Sequence, residues 1–211
     1  MRFGHGRILT RNTVIAYNRS MPRVAVNEQV LTFDQYLEIE ASAETRHEFV
    51  DGLMFAMAGA TEAHNLIALN IATTLRAAAR ATACRVFQSD MKYRTADNTG
   101  YYPDVILTCD ERDLGELVKR FPCLLVEVLS KSTSEVDHTE KWLNYQRIPS
   151  LNMYVMVTQD RRFLEVYTRQ VDGSWRYETL EDAGTLKFAC VNASMTLDDV
   201  YEDVIFPNTD S

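Results

Sequence analysis

YYPDVILTC, residues 101–109, and FPCLLVEVLS, residues 121–130, are two apolar runs, each interrupted by a carboxylate: Asp104 in the first and Glu127 in the second. Such runs read as buried strands. A carboxylate inside one costs several kcal/mol unless a cation or hydrogen bonds meet it. Alternate strand residues share a face, so Asp104 can point away from Val105 and Leu107, and Glu127 away from Val126 and Val128. If the strands are neighbours, both acids converge at one end of a sheet. A single acid of this kind most often pairs with an internal Arg or Lys. Two in consecutive strands, with basic residues downstream, point instead to a site for Mg²⁺, which is bound through one or two carboxylates and keeps several waters.

Working outward, TFDQYLEI (32–39) opens with the Thr32/Gln35 spacing of a capping box and predicts a short helix. HEFVDGLMFAMAG (47–59) predicts a hairpin turning at Asp51-Gly52. The Ala- and Leu-rich stretch 61–80 predicts a long helix buried on one face. CRVFQSDMKYR (84–94) reads as the first of three strands, joined to the second through the turn at Asp97–Gly100. A second helix is predicted after Ser132 or Ser134, running to about Arg147 before Pro149. LNMYVMVTQ (151–159) is a fourth strand, residues 162–180 an edge hairpin, and TLDDVYEDV (196–204) a short terminal helix. This order predicts one α/β domain (α+β, with a mixed sheet) and helices on its faces. We place it at residues 28–206, between a basic lead at 1–27 and a tail at 207–211.

The chain has 211 residues and a net charge of −8, unevenly spread. Arg2, Arg7, Arg11, Arg19 and Arg23 precede the first acid, Glu28, so the lead carries +5 and the remainder −13. The lead reads as a flexible tail, a mis-assigned start ahead of Met21, or a phosphate-binding arm. It lacks the apolar region of a secretory signal, and no apolar run is long enough to span a membrane. Cys84, Cys109, Cys123 and Cys190 stand at wide spacings without a CxxC. They read as unpaired core residues of a cytoplasmic protein rather than as metal ligands. A G-x-S-x-G elbow and a P-loop are both absent, so neither a serine nucleophile nor nucleotide-driven chemistry is supported.

YPDVILTC, LLVEVLSKST, the run DHTEKWLNY (137–145) and IPSLNMYVMV (148–157) together resemble the bacterial putative restriction-endonuclease family of the PD-(D/E)xK nuclease superfamily. The likeness extends from about Leu31 to Val204. It implies a restriction-endonuclease-like αβββαβ core with added hairpins, and Mg²⁺-dependent hydrolysis of DNA, with Mn²⁺ able to substitute. It makes Asp104 and Glu127 the motif acids and metal ligands, and implies a homodimer. The lysine of that motif, two residues after the glutamate, is Leu129 here. The resemblance moves its role to Lys141, whose i,i+4 spacing from Asp137 lets the two support each other. Lys92 is a second candidate, carried toward Pro103 and Asp104 by the hairpin, and Lys131 a third. Glu48 resembles the family's additional acid, and His64 stands where the family often has histidine, as a general base or as a capping-turn residue. The alternative to an endonuclease is a binding or interaction module that keeps the fold and has lost the chemistry, motivated by Leu129 and the acidic body.

Overall fold

A computed structural model describes residues 24–130 and 134–206. The basic lead up to residue 23, Lys131 to Thr133, and the tail from residue 207 lie outside the described residues, so the readings made for them are not followed further. Ala25–Asn27, counted with the lead on charge grounds, lie along a strand edge: Ala25 bridges Phe55 and Val26 N–H donates to Met54 O at 2.9 Å.

Helix α1 (Phe33–Glu40) starts at the expected capping box, with Thr32 and Gln35 bonding each other's backbone N–H groups. Strands β1 (His47–Val50) and β2 (Leu53–Ala56) pair antiparallel about Asp51 and Gly52, whose φ angles of 51° and 83° suit a tight hairpin turn. Helix α2 (Glu62–Ala78) buries Ile67, Ile71 and Leu75, the i, i+4, i+8 row of its apolar face.

Two stretches read as single strands are each split. CRVFQSDMKYR becomes β3 (Arg85–Gln88) and β4 (Lys92–Arg94), because Ser89 takes φ 60° and redirects the chain. YYPDVILTC becomes β5 (Gly100–Tyr101) and β6 (Val105–Thr108), with Pro103, which has no N–H to give a ladder, between them. The halves join different sheets. Strands β7 (Val118–Lys119), β8 (Pro122–Leu129), β9 (Met153–Thr158), β10 (Phe163–Arg169) and β11 (Trp175–Glu181) complete two layers. One is ordered β2-β1-β5-β4-β7 and the other β11-β10-β9-β8-β6-β3. The second is mixed, since β8 and β9 run parallel and its other pairs antiparallel. A further hairpin, β12 (Thr185–Phe188) with β13 (Ala193–Thr196), was not legible in the sequence. Between β8 and β9 the chain forms α3 (Ser134–Val136), a π-helical turn (Asp137–Lys141) and α4 (Trp142–Tyr145), and α5 (Leu197–Val200) closes the domain.

The strand alternation holds. Val126 and Val128 of β8, with Val105 and Leu107 of β6, pack against α2 on one face of the six-stranded sheet. Leu125 and Leu129, with Ile106, pack on the other face with Tyr93, Tyr101, Tyr145 and Tyr154. Glu127 belongs to this second, tyrosine-rich face. Leu129, where the superfamily's lysine would stand, is 5% exposed within the same cluster.

The cysteine reading is overturned. Cys84 bonds Cys109 and Cys123 bonds Cys190, and Cys109 Sγ lies 3.8 Å from Cys123 Sγ. Residues far apart in sequence meet where β3 and β8 begin and β6 and β12 end, which spacing along the chain cannot reveal. The paired cysteines also remove the observation on which a cytoplasmic location rested. No described helix is long and apolar enough to cross a membrane. The bridges close loops of 25 and 67 residues. We expect a thiol reductant to lower stability by about 2–4 kcal/mol per bridge, read from urea unfolding with and without reductant.

Candidate active site

The β6–β8 ladder pairs Val105 with Val126, so its continuation sets Asp104 opposite Glu127. Val128 N–H donates to Asp104 Oδ2 at 2.7 Å, tying the first acid to the strand that carries the second. Pro103 helps place it there, because the chain leaves the ladder at that point and the carboxylate can turn back over the neighbouring strand.

Lys141 reaches this spot from the π-helical turn. Its Nζ lies 3.0 Å from Glu48 Oε1, 3.1 Å from Glu127 Oε2 and 2.9 Å from Asp137 Oδ1. All four residues are at most 4% exposed. Three elements distant in sequence thus contribute: β1 gives Glu48, β8 gives Glu127, and one helical segment gives Asp137 and Lys141. The π-turn adds a residue per turn, a distortion common at functional sites because it re-aims side chains. Tyr145, one α-helical turn beyond Lys141, donates its hydroxyl to Glu127 Oε1 at 2.9 Å. Tyr101 lies with its ring 5.7 Å from Lys141 Nζ and donates to Glu140 Oε1 at 2.8 Å.

Among the described residues, three carboxylates gather around the Lys141 ammonium in a buried place. Burial pushes the Glu127 carboxyl up to about 8; the Lys141 charge opposes this, while Asp137 and Asp104 add to it. Lys141 is held charged: burial works against its ammonium, and the Asp137 and Glu127 charges outweigh that, raising it further above the ordinary lysine value.

His64 serves both readings made for it. Its backbone N–H donates to Thr61 Oγ1 at 3.1 Å, capping α2, and its Nε2 lies 3.3 Å from Asp104 Oδ1. Burial depresses the imidazole, but the hydrogen bond and charge of Asp104, with the Asp137 charge, raise it above the ordinary histidine value. A raised value means that the His64–Asp104 pair stabilises the fold fully below the unfolded histidine pKa, and that this is lost as pH rises through the folded value. The raised Glu127 acts in the same sense. We expect His64→Gln to cost more stability at pH 6 than at pH 9, measured by thermal unfolding of both proteins at each pH.

Lys92 is not brought to the cluster. Its Nζ sits 5.1 Å from the Tyr102 ring centroid, and among the described residues it forms no ion pair with Glu48, Glu127 or Asp137. Burial lowers its pKa, Arg46 lowers it further, and Glu40 and Asp90 oppose. The tight β4–β5 turn pairs Tyr93 with Tyr101, which leaves Lys92 alongside Tyr102 rather than at the acids. Tyr145 is a site residue that sequence reasoning missed. The available signal was the i, i+4, i+8 row of Asp137, Lys141 and Tyr145, which one helix face presents together.

Asp104 and Glu127 supply hard oxygen donors on adjacent strands, chemistry that suits Mg²⁺ or Mn²⁺. Among the described residues no group of three or more His, Cys, Asp or Glu side chains forms a ready-made metal shell. The two carboxylates fit an ion that takes its remaining ligands from water and substrate.

The chain is similar to known proteins over most of its length. An uncharacterized protein of Synechocystis sp. (strain ATCC 27184 / PCC 6803 / Kazusa) is 30% identical over 178 residues, covering 83% of this chain and 94% of the relative. A second uncharacterized protein of that organism is 31% identical over 156 residues, covering 72% and 88%. A crystal structure of a putative nuclease belonging to DUF820 from Anabaena variabilis ATCC 29413 superposes with a TM-score of 0.68 at 16% identity. It covers 83% of this chain and 99% of that one, and shows that the two share a fold. Residues 33–195 match the family model described as Uma2, "Putative restriction endonuclease". The chain belongs to the Uma2 putative restriction endonuclease family, with a nuclease-like fold.

Proposed function

We propose that this protein is a metal-dependent endonuclease that hydrolyses phosphodiester bonds in DNA. The observation that carries the reading is the placement of Lys141, whose ammonium meets Glu127 and Glu48 although the strand position that would supply a lysine holds Leu129. Asp104 and Glu127 would hold Mg²⁺ or Mn²⁺, which when bound polarises a phosphoryl oxygen and makes a water acidic enough to attack. The side chains do the rest. Val128 N–H and His64 fix the two oxygens of Asp104, and Tyr145 fixes one oxygen of Glu127. Lys141 keeps a positive charge where negative charge grows on the phosphoryl oxygens, in surroundings too dry to screen it. Asp137 holds that ammonium from its own helix. A single site cuts one strand per turnover, so cutting both strands in one encounter would use two copies, as a homodimer supplies.

Lys141 already engaged by three carboxylates, with no prebuilt three-ligand metal shell among the described residues, favours the second reading: a nuclease-fold binding module. Incubation with supercoiled plasmid and with single-stranded DNA, in Mn²⁺ and in EDTA, separates the two. The endonuclease nicks DNA in Mn²⁺ alone and loses that activity in Asp104→Ala. Intact DNA at saturating Mn²⁺ favours the module.

A further inference from the structure

A groove of about 600 Å³ lies beside the site, lined by Arg94, Arg112, Arg120 and Arg147 together with Asp97 and Asp110. Its charged lining sums to +2 in a chain whose total is −8. The acidic body is therefore not uniformly hostile to a polyanion.

The arginines are incompletely neutralised. Arg112 is matched by Asp110, and Arg147 approaches Asp97 only at 3.8 Å with both side chains about 70% exposed. Arg120 has no ion pair among the described residues, and Arg94 bonds only the neutral amide of Asn98. Burial lowers the Arg94 pKa and the neighbouring Arg120 charge lowers it further, so these two guanidinium groups repel each other across the groove. Two of the four planes are held in place: Arg94 stacks 4.1 Å over the Phe33 ring and Arg112 4.5 Å over Phe121. With Arg120 and Arg147 weakly neutralised beside them, the cluster presents guanidinium donors to phosphate oxygens.

The groove is also aligned with the chemistry. Lys141 and Asn144 stand at i and i+3 in the helical segment, Ile148 follows just past its end, and Asn144 and Ile148 line the groove. Asn144 Nδ2 donates to the Tyr101 hydroxyl at 2.7 Å, and that ring faces Lys141. Tyr93 of the groove packs edge-on against Tyr145, which holds Glu127.

We propose that the Arg94–Arg112–Arg120–Arg147 groove carries the nucleic-acid backbone that flanks the phosphate being cleaved. The proposal rests on the nuclease reading and extends it to the surface that seats the substrate. The groove is wider than one phosphate needs, and it combines a cationic rim with the apolar walls Phe121, Ile148 and Pro149, as in sites that track a strand.

The test uses the full chain carrying R112Q, R120Q and R147Q together. Arg94, which packs on Phe33, is left in place so that folding is undisturbed. DNA binding is followed by fluorescence anisotropy in Mg²⁺ on an Asp104→Asn background, with and without the triple change, from 50 to 200 mM salt. Cleavage is followed in Mn²⁺ with Asp104 intact. We expect the triple variant to bind at least tenfold more weakly at 50 mM salt. Its log–log salt slope should flatten by about 2–3, roughly 0.9 for each phosphate left without its arginine. Its KM for cleavage should rise while kcat is kept. If the parent cleaves DNA and the triple variant binds with the same affinity and slope, the groove proposal is overturned and the nuclease reading stands. If the parent binds but does not cleave, and the triple variant loses binding, the groove stands and the catalytic reading fails. If the parent neither binds nor cleaves, both fail.

Discussion

Glu127→Gln should cripple DNA cleavage while leaving the metal-free protein at least as stable as its parent, and more stable at pH 9. The two effects separate because the residue is costly to the fold and needed for chemistry. Glu127 is 3% exposed and shares one ammonium with Glu48 and Asp137, so burial pushes its carboxyl up to about 8. Above that pH the protein carries an extra buried negative charge. Its stabilising proton is fully held below the unfolded glutamate pKa and is lost as pH rises through about 8. A glutamine of the same shape has no proton to lose. Its amide oxygen can face Lys141 and its NH₂ can donate to the Tyr145 oxygen, so the hydrogen bonds survive. Cleavage in Mn²⁺ should nonetheless fall by about 10²–10³-fold, the scale seen when a charge-stabilising group is removed from an active site. Urea unfolding at pH 6 and pH 9, beside the plasmid assay, reads both. A large loss of stability at pH 9 would assign Glu127 to the fold instead, whereas a gain of stability with loss of activity is the mark of a residue kept for function.

Lys141→Met should do the opposite to the fold. It removes the ammonium that meets Glu48, Glu127 and Asp137 among the described residues, and an uncompensated buried charge costs about 3–5 kcal/mol. That cost should shrink as pH falls, since the carboxylates can then take up protons, and it should shrink in Mn²⁺, which can stand in for the missing cation. Cleavage should be lost even where stability is restored. Thermal unfolding at pH 5 and pH 8, with and without Mn²⁺, measures the first part, and the plasmid assay the second. A variant equally stable at both pH values, and indifferent to Mn²⁺, would mean that the three carboxylates do not depend on this ammonium.

What could be read from the chain follows from where each signal resides. Local chemistry was legible: the Thr32/Gln35 cap, the turn at Asp51-Gly52 and the period of two around Asp104 and Glu127 are all properties of a few adjacent residues. The pairing of those two acids followed once the strands were taken as neighbours. Lys141 came from the family resemblance together with its spacing from Asp137, and the structure brings it to Glu127. Other features depend on the whole fold. Nothing local in CRVFQSDMKYR announces that its halves enter different sheets, because the switch is made by a single residue, Ser89, at φ 60°. Pro103 did carry a warning, as a residue that cannot donate to a ladder. The sulfur pairs of Cys84 with Cys109 and Cys123 with Cys190 depend on strands that meet only when folded. The register of Lys92, beside Tyr102 rather than against the acids, is set by the hairpin turn and not by any local pattern.

In the proposed site a divalent cation sits between Asp104 and Glu127 with Lys141 beside it. The most direct measurement is an anomalous difference map from a crystal of the full chain soaked in Mn²⁺. We expect one peak about 2.1 Å from carboxylate oxygens of both Asp104 and Glu127, the spacing of a small hard cation, with Lys141 still against Glu127 or Glu48. A map at saturating Mn²⁺ with no peak there would contradict it.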